Sequence, residues 1–154
     1  MSPESVAVEC LDRIQWRFPS IPSPNTLAQH LGIVVTRLPV HYAEKLDGLS
    51  YVEGDAWAVF LNGTQSWVRR QWTLTHEIGH ILLHYEHRGQ WYRGHASPNA
   101  PMEREADRFA RAFLMPASLM QGLVAHYGPN VAELARVLAL SRPTVQRRLK
   151  ELQL

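Results

Sequence analysis

The string His76-Glu77-Ile78-Gly79-His80 constrains the fold of this chain more than any other feature of its sequence. It lies within a predicted helix, Trp67–Tyr85, whose N-terminus either Thr64 or Ser66 could cap. Residues four positions apart share one face of a helix, so the two imidazoles can reach a single metal ion. Glu77, one residue after the first histidine, can take a proton from a water molecule there without being a ligand itself.

Two histidines do not complete a catalytic zinc site, which uses three protein ligands and keeps one position for water. The candidates for the third ligand lie in a second predicted helix, Met102–Met115, which Pro116 closes. Glu103 and Asp107 are four positions apart on one helical face. We therefore predict that Glu103 binds the metal and that Asp107 accepts the ring N–H of a ligand histidine. Glu105 lies about 200° around the helix from Glu103 and is the alternative ligand.

Gly79 and His84 indicate how the first helix is expected to pack. A glycine inside a helix costs about 1 kcal/mol relative to alanine, so we expect another backbone to approach Gly79 at the level of the ligands. His84 continues the histidine face by one turn, which rises about 5.4 Å. That is too far for a third ligand, and we interpret His84 as a polar cap or a substrate-side residue. His87 and His95 are interpreted as ordinary loop histidines.

The pattern of the whole chain predicts an α+β fold with a small antiparallel sheet, the helix pair described above and a helical C-terminal segment. The remaining predicted elements are helices over Pro3–Phe18, Leu27–Leu31, Ala117–His126, Val131–Leu138 and Pro143–Leu154, strands over Ile33–Leu38, Leu49–Val52 and Ala56–Leu61, and a loop over Glu86–Pro101. We divide the chain into a core over 1–116 and a C-terminal segment over 117–154 packed on it. The strand Ala56–Leu61 could offer a free edge to an extended substrate.

The composition excludes several classes of protein. Of 154 residues, 45% are hydrophobic and 19% are charged, which excludes a disordered tail, a collagen and a coiled coil. No apolar run approaches the ~20 residues that span a bilayer, and the N-terminus lacks the pattern of a secretory signal, so we predict no membrane association. Cys10 is the single cysteine and cannot form an internal disulfide, which favours a reducing, cytoplasmic setting.

Three stretches, Arg69–His84, Glu103–Ala110 and Phe113–Pro116, resemble the ImmA/IrrE family of zinc metallo-endopeptidases. Members of that family have the pattern HE-x-GH-x-x-x-H followed by E-x-x-A-(N/D)-x-F-A-x-x-L-L-M-P, and Phe113 stands where leucine is commoner. The resemblance implies a gluzincin-type peptidase with a zincin-like core. It implies that His76, His80 and Glu103 are the zinc ligands and that Glu77 is the general base.

The resemblance also implies a protein substrate, because some relatives cleave a helix-turn-helix repressor and so release a mobile-element or stress-response operon. The alternative is a DNA- or protein-binding regulator with a non-catalytic metal site. A peptidase also needs a group that stabilises the oxyanion, and the sequence does not choose among several candidates. These candidates are Tyr85, Tyr92, His95, His126 and Tyr127.

The C-terminal segment itself resembles a helix-turn-helix. Residues 133–154 carry five basic and two acidic side chains, a net charge of +3. The side chains that could read a major groove are Arg142, Thr144, Gln146 and Arg147. The apolar positions that could instead pack on the core are Leu134, Leu138, Val145 and Leu149. Because family relatives keep such a segment inside the peptidase fold, we favour packing, with the arginines forming a solvated face; docking of an acidic partner is a third use.

Overall fold

The computed structural model describes residues 1–85, 91–92 and 100–154, with only the backbone of 91–92 described. Within these ranges the helices are α1 Pro3–Arg13, α2 Pro24–His30, α3 Val40–Ala43, α4 Trp67–His84, α5 Pro101–Leu114, α6 Ala117–Tyr127, α7 Val131–Leu138 and α8 Arg142–Leu152. The strands are β1 Ile33–Arg37, β2 Gly48–Glu53, β3 Ala56–Leu61 and β4 Trp91–Tyr92. The predicted α+β class is confirmed. None of the helices in the described ranges is long and apolar enough to cross a bilayer.

The sheet has the strand order β1-β3-β2-β4 and is mixed. The turn at Gly54-Asp55 joins β2 and β3 as an antiparallel hairpin, and β4 also pairs antiparallel with β2. β1 pairs with β3 in parallel, from Ile33 opposite Trp57 to Arg37 opposite Leu61. The prediction of a wholly antiparallel sheet is therefore wrong for β1. The intervening segment, which contains α3 and β2, is long enough for the return connection that a parallel pair requires.

The position of β3 also corrects a prediction about substrate binding. β3 has β1 on one side and β2 on the other, so its backbone groups already take part in two ladders. An extended peptide therefore cannot pair with β3, and the predicted free edge at Ala56–Leu61 is wrong.

α1 is shorter than the predicted helix over Pro3–Phe18. Gln15 adopts a left-handed φ of 53°, and the Trp16 N–H donates to the Leu11 carbonyl at 2.9 Å. This pattern of bonds terminates a helix by satisfying its last carbonyls. The apolar spacing that continued to Phe18 therefore does not mark further helix, and Phe18 itself is 53% exposed.

The main core lies between α4, α5 and the sheet. Leu74 and Ile78 of α4 and Phe109 and Phe113 of α5 are fully buried in one cluster that also contains Val59 of β3. This burial is what holds the two helices of the predicted metal site against each other.

Gly79 lies at a close approach of α4 and α5. A Cβ at Gly79 would lie 2.9 Å from Phe109 Cδ1 and 3.3 Å from both the Cα and the carbonyl oxygen of Ala106. No ordinary Cβ contact is as short as the first of these distances. The expected backbone approach at Gly79 is confirmed, and it comes from α5.

The C-terminal helices pack into the same core. Leu134, Leu138, Val145 and Leu149 are buried and belong to the main cluster. These four apolar positions therefore face the core, as the favoured alternative expects, whereas the division of the chain at residue 116 stays a prediction.

Arg148 departs from the expectation that the arginines of this segment form a solvated face. Its side chain is buried, and its Nε donates to the Met115 carbonyl at 2.9 Å. Glu151 lies 3.4 Å from Arg148 Nη1 and 2.8 Å from Nη2 of Arg111, a second buried arginine. Arg148 therefore satisfies the carbonyl that follows the last residue of α5 and ties α8 to the end of that helix.

We expect Gly79→Ala to destabilise the protein by about 1–3 kcal/mol, because the added methyl group overpacks the contact with α5. This loss exceeds the gain in helix propensity, which is about 1 kcal/mol. Urea unfolding measures the change. Gln121→Ala, at an exposed position of α6, is the control and should shift stability by no more than about 0.5 kcal/mol. Equal stability of Gly79→Ala and the wild type would contradict the close approach.

We expect Arg148→Met to lower the free energy of unfolding by about 2 kcal/mol, because it leaves the Met115 carbonyl without its donor. Arg147→Met is the matched control, since Arg147 is exposed on the same helix, and it should stay within about 0.5 kcal/mol of the wild type. If both variants unfold at the same urea concentration, Arg148 does not hold the end of α5.

Candidate active site

The first turn of α4 is set by Ser66, whose hydroxyl accepts a hydrogen bond from the Arg69 N–H at 3.3 Å. Thr64, the other predicted cap, instead donates from its backbone N–H and its hydroxyl to Asn62 Oδ1. Asn62 in turn donates to the carbonyls of Ala43 and Leu46. This network anchors the chain between β3 and α4 and so determines where the helix begins.

Two turns further along α4, three donor groups converge. His76 Nε2 and His80 Nε2 lie 3.0 Å apart. The Glu103 carboxylate of α5 reaches both of them, with Oε2 at 3.2 Å from His76 Nε2 and Oε1 at 3.2 Å from His80 Nε2. The side chain of His80 is completely buried, and that of Glu103 is 10% exposed. All three candidate ligands of the sequence analysis therefore share one group that can hold a metal ion.

The donor set fits a zinc ion. Imidazole nitrogen and carboxylate oxygen are common zinc ligands, and donors about 2.0–2.1 Å from a tetrahedral zinc lie about 3.3 Å from one another. The observed separations of 3.0–3.2 Å are close to that value. Three ligands leave the fourth position of a tetrahedral site for water or substrate.

Asp107 lies where the sequence analysis placed it. Its Oδ1 is 2.9 Å from His76 Nδ1, the ring nitrogen that points away from the donor group. A carboxylate in this position can orient the ring and hold its tautomer. The i, i+4 spacing of Glu103 and Asp107 allows one helix to provide both contacts.

His84 and Glu105 have contacts that differ from those expected. His84 Nδ1 lies 3.0 Å from His80 Nδ1, and His84 Nε2 lies 2.9 Å from Glu105 Oε2. Glu105, the alternative ligand, is therefore in contact with His84 and lies outside the donor group. His84 contacts His80 at the end of α4, and its interpretation as a polar cap or a substrate-side residue stays a prediction. The i, i+4 spacing of His80 and His84 was the signal that could have indicated this contact.

A cleft with a volume of about 210 Å³ borders the donor group. Its lining residues are Asp47, Gly48, Trp72, Thr73, His76, Glu77, Glu103 and Asp107. Glu77 lines this cleft although it is only 3% exposed. A carboxylate in this position is well placed to act on a molecule held in the cleft.

Gly48 at the start of β2 was not identified from the sequence, where Asp47-Gly48 indicates only a turn. A Cβ at Gly48 would lie 2.5 Å from Thr73 Cγ2 and 3.5 Å from Glu77 Cγ. Glycine at this position therefore lets β2 pass directly beside the part of α4 that carries Glu77.

The surroundings of His76 and His80 shift the pKa values of the two side chains in opposite directions. Burial opposes the shift at His76, but hydrogen bonds to Asp107 and Glu103 raise its pKa to about 9. Burial, with the nearby charge of His76, lowers the pKa of His80 to about 3. Burial also opposes the shift at Glu103, whose pKa is lowered by its contacts with both histidines. Near neutral pH the metal-free group therefore holds a proton on His76, which a metal ion must displace.

The candidate oxyanion stabilisers separate into three cases. The Tyr85 hydroxyl contacts Ser50, at 3.2 Å from Oγ and 3.3 Å from the carbonyl. His126 and Tyr127 contact each other at the end of α6, with ring centroids 4.5 Å apart, and do not line the cleft. The side chain of Tyr92 and the whole of His95 lie outside the described residues, as does His87.

The family model of the IrrE N-terminal-like domain, a peptidase family designated M78, matches residues 28–150. No curated protein matches the chain. The matched range extends from α2 into α8 and includes both helices that carry the donor group. It agrees with the resemblance to the ImmA/IrrE family seen in the sequence. The chain belongs to the IrrE N-terminal-like family of metallopeptidases.

Proposed function

We propose that this protein is a zinc-dependent endopeptidase that cleaves a regulatory protein. The observation that supports this most strongly is the convergence of His76, His80 and Glu103 from two helices, with Glu77 beside them on one cleft. A purely structural zinc site has four protein ligands and no use for an adjacent carboxylate that is not a ligand. Membership of a peptidase family supports the same conclusion.

In this proposal His76, His80 and Glu103 hold the ion, and Asp107 orients His76. A zinc ion there would acidify a water molecule and polarise the peptide carbonyl that is attacked. Glu77 accepts the proton of the attacking water and delivers it to the departing amine. Its place between β2 and the cleft limits the positions that its carboxylate can adopt, because Gly48 of β2 packs against Thr73 and Glu77 of α4.

The outer edge of β2 is the best candidate for binding the substrate backbone. Among the described residues, β4 pairs with Ser50 and Tyr51 only, while Gly48 at the start of the strand lines the cleft. An extended peptide that adds to β2 near Gly48 would therefore pass the donor group. A helix-turn-helix repressor is the proposed substrate class, in keeping with the resemblance to the ImmA/IrrE family, and the cytoplasmic setting stays a prediction.

We expect Glu77→Gln to slow cleavage strongly while leaving zinc binding intact. The test incubates the zinc-loaded wild type and the variant with the candidate substrate, a purified helix-turn-helix repressor, and follows the repressor by mass spectrometry. Loss of the general base should slow cleavage by about 10²–10⁴-fold. Glu9→Gln, on the exposed face of α1, is the control and should cleave like the wild type. Cleavage at equal rates by the wild type and Glu77→Gln, or by neither, would contradict the proposal.

We expect one zinc ion to bind and its apparent affinity to depend on pH. Because the pKa of His76 is raised to about 9 in the metal-free protein, zinc must displace a proton at neutral pH. The apparent affinity should therefore rise about tenfold per pH unit between about pH 7 and pH 9. Competition with a chromophoric chelator measures it at each pH. His30→Gln, at an exposed histidine of α2, should retain this slope, whereas a pH-independent affinity would show that zinc displaces no proton from His76 in this range.

A further inference from the structure

We propose that Glu105 and His84 form a positioning chain that holds His80 in the ring tautomer able to bind a metal through Nε2. The inference rests on the part of the proposed function that makes His80 a ligand. It assigns a role to two residues outside the donor group. Neither of them lines the cleft beside that group.

The positioning chain consists of one contact between α5 and α4, followed by a second contact within α4. Glu105 Oε2 lies 2.9 Å from His84 Nε2, and His84 Nδ1 lies 3.0 Å from His80 Nδ1. Exposure falls along the chain, from 47% for the side chain of Glu105 to 7% for His84 and 0% for His80. The inner contact is therefore shielded from water, which could otherwise replace either partner.

The chemistry of these groups gives the chain a direction. An ionised carboxylate can only accept, so Glu105 takes its hydrogen bond from a proton on His84 Nε2. In the neutral ring, Nδ1 of His84 is then an acceptor, and it takes the proton that His80 carries on Nδ1. The Nε2 lone pair of His80 is left for the donor group, where it lies 3.0 Å from His76 Nε2.

The other proposed histidine ligand, His76, is also contacted by a carboxylate of α5, but without an intermediate residue. His76 Nδ1 meets Asp107 directly at 2.9 Å, whereas His80 is reached only through His84. Glu103, Glu105 and Asp107 all belong to α5. We infer that one helix supplies both the third ligand and the carboxylates that orient the other two ligands. The close approach of α5 at Gly79 makes these contacts possible.

A simpler role for His84 and Glu105 would be to tie α4 to α5 without affecting the metal site. The two roles predict different results for matched variants. His84→Phe keeps the volume of a ring and removes the acceptor. His84→Asn places an amide oxygen near the position of Nδ1 and restores an acceptor for His80. Glu105→Ala removes the outer carboxylate at a half-exposed position.

The experiment measures the zinc affinity of the full-length protein by competition with a chromophoric chelator. We expect His84→Phe to bind zinc about 10–100-fold more weakly than the wild type, as is typical when a partner of a ligand is lost. His84→Asn should recover most of that loss, and Glu105→Ala should show a smaller loss. Arg108→Ala is the control, because it breaks a different tie of α5, the ion pair with Glu4 at 2.8 Å, and should leave zinc affinity unchanged.

A spectroscopic readout tests the tautomer itself. In zinc-loaded protein labelled with ¹⁵N-histidine, long-range ¹H–¹⁵N correlations should place the His80 proton on Nδ1. In His84→Phe that proton should exchange faster with water.

Zinc affinity of His84→Phe within threefold of the wild type, or a His80 proton on Nε2, would overturn the inference. If the wild type binds no zinc, the inference and the proposed function both fall. If zinc affinity follows the expected order but no repressor is cleaved, only the peptidase proposal falls.

Discussion

The close packing of α4 against α5 is the interaction on which the rest of this structure depends. Gly79 has no side chain, so the backbone at Ala106 and the ring of Phe109 can come within contact distance of α4. Around that point the burial of apolar side chains holds the helices together. Only at such a separation can a carboxylate from one helix reach imidazole nitrogens on the other at 3.2 Å. The catalytic proposal therefore rests on a packing contact between backbone and apolar side chains.

The packing of α4 against α5 buries several histidine and carboxylate side chains. Burial of a polar group costs free energy unless that group has a hydrogen-bonding partner. α5 provides these partners through acidic residues at every second position, Glu103, Glu105 and Asp107. Glu103 faces the donor group, Asp107 contacts His76 and Glu105 contacts His84. The far end of the same helix is held by a buried arginine of α8, Arg148, through the Met115 carbonyl. The C-terminal segment thus supports the helix that carries the third candidate ligand.

Predictions from the sequence succeeded where local spacing was sufficient. The helical period placed His76 and His80 on one face, and the Glu103–Asp107 spacing predicted that these two residues of α5 contact the histidines. Predictions failed where the outcome depended on distant segments. Nothing local to β1 indicates that it pairs in parallel with β3, and nothing local to Arg148 indicates a carbonyl partner 33 positions away. Likewise, Asp47-Gly48 indicated only a turn in the sequence. The structure shows that β2 also needs a glycine at position 48 in order to pass beside Glu77.

The sequence by itself determined the residue types of the site, their helical faces and the α+β class, because these follow from short-range periodicity and the chemistry of the side chains. The tertiary structure decided which carboxylate meets which imidazole, which strand lies inside the sheet, and which arginine is buried. These outcomes depend on how two helices rotate and approach each other, and on how sheet edges are filled. This geometry is set by the simultaneous packing of residues that are far apart in the chain. A local sequence pattern therefore cannot predict it.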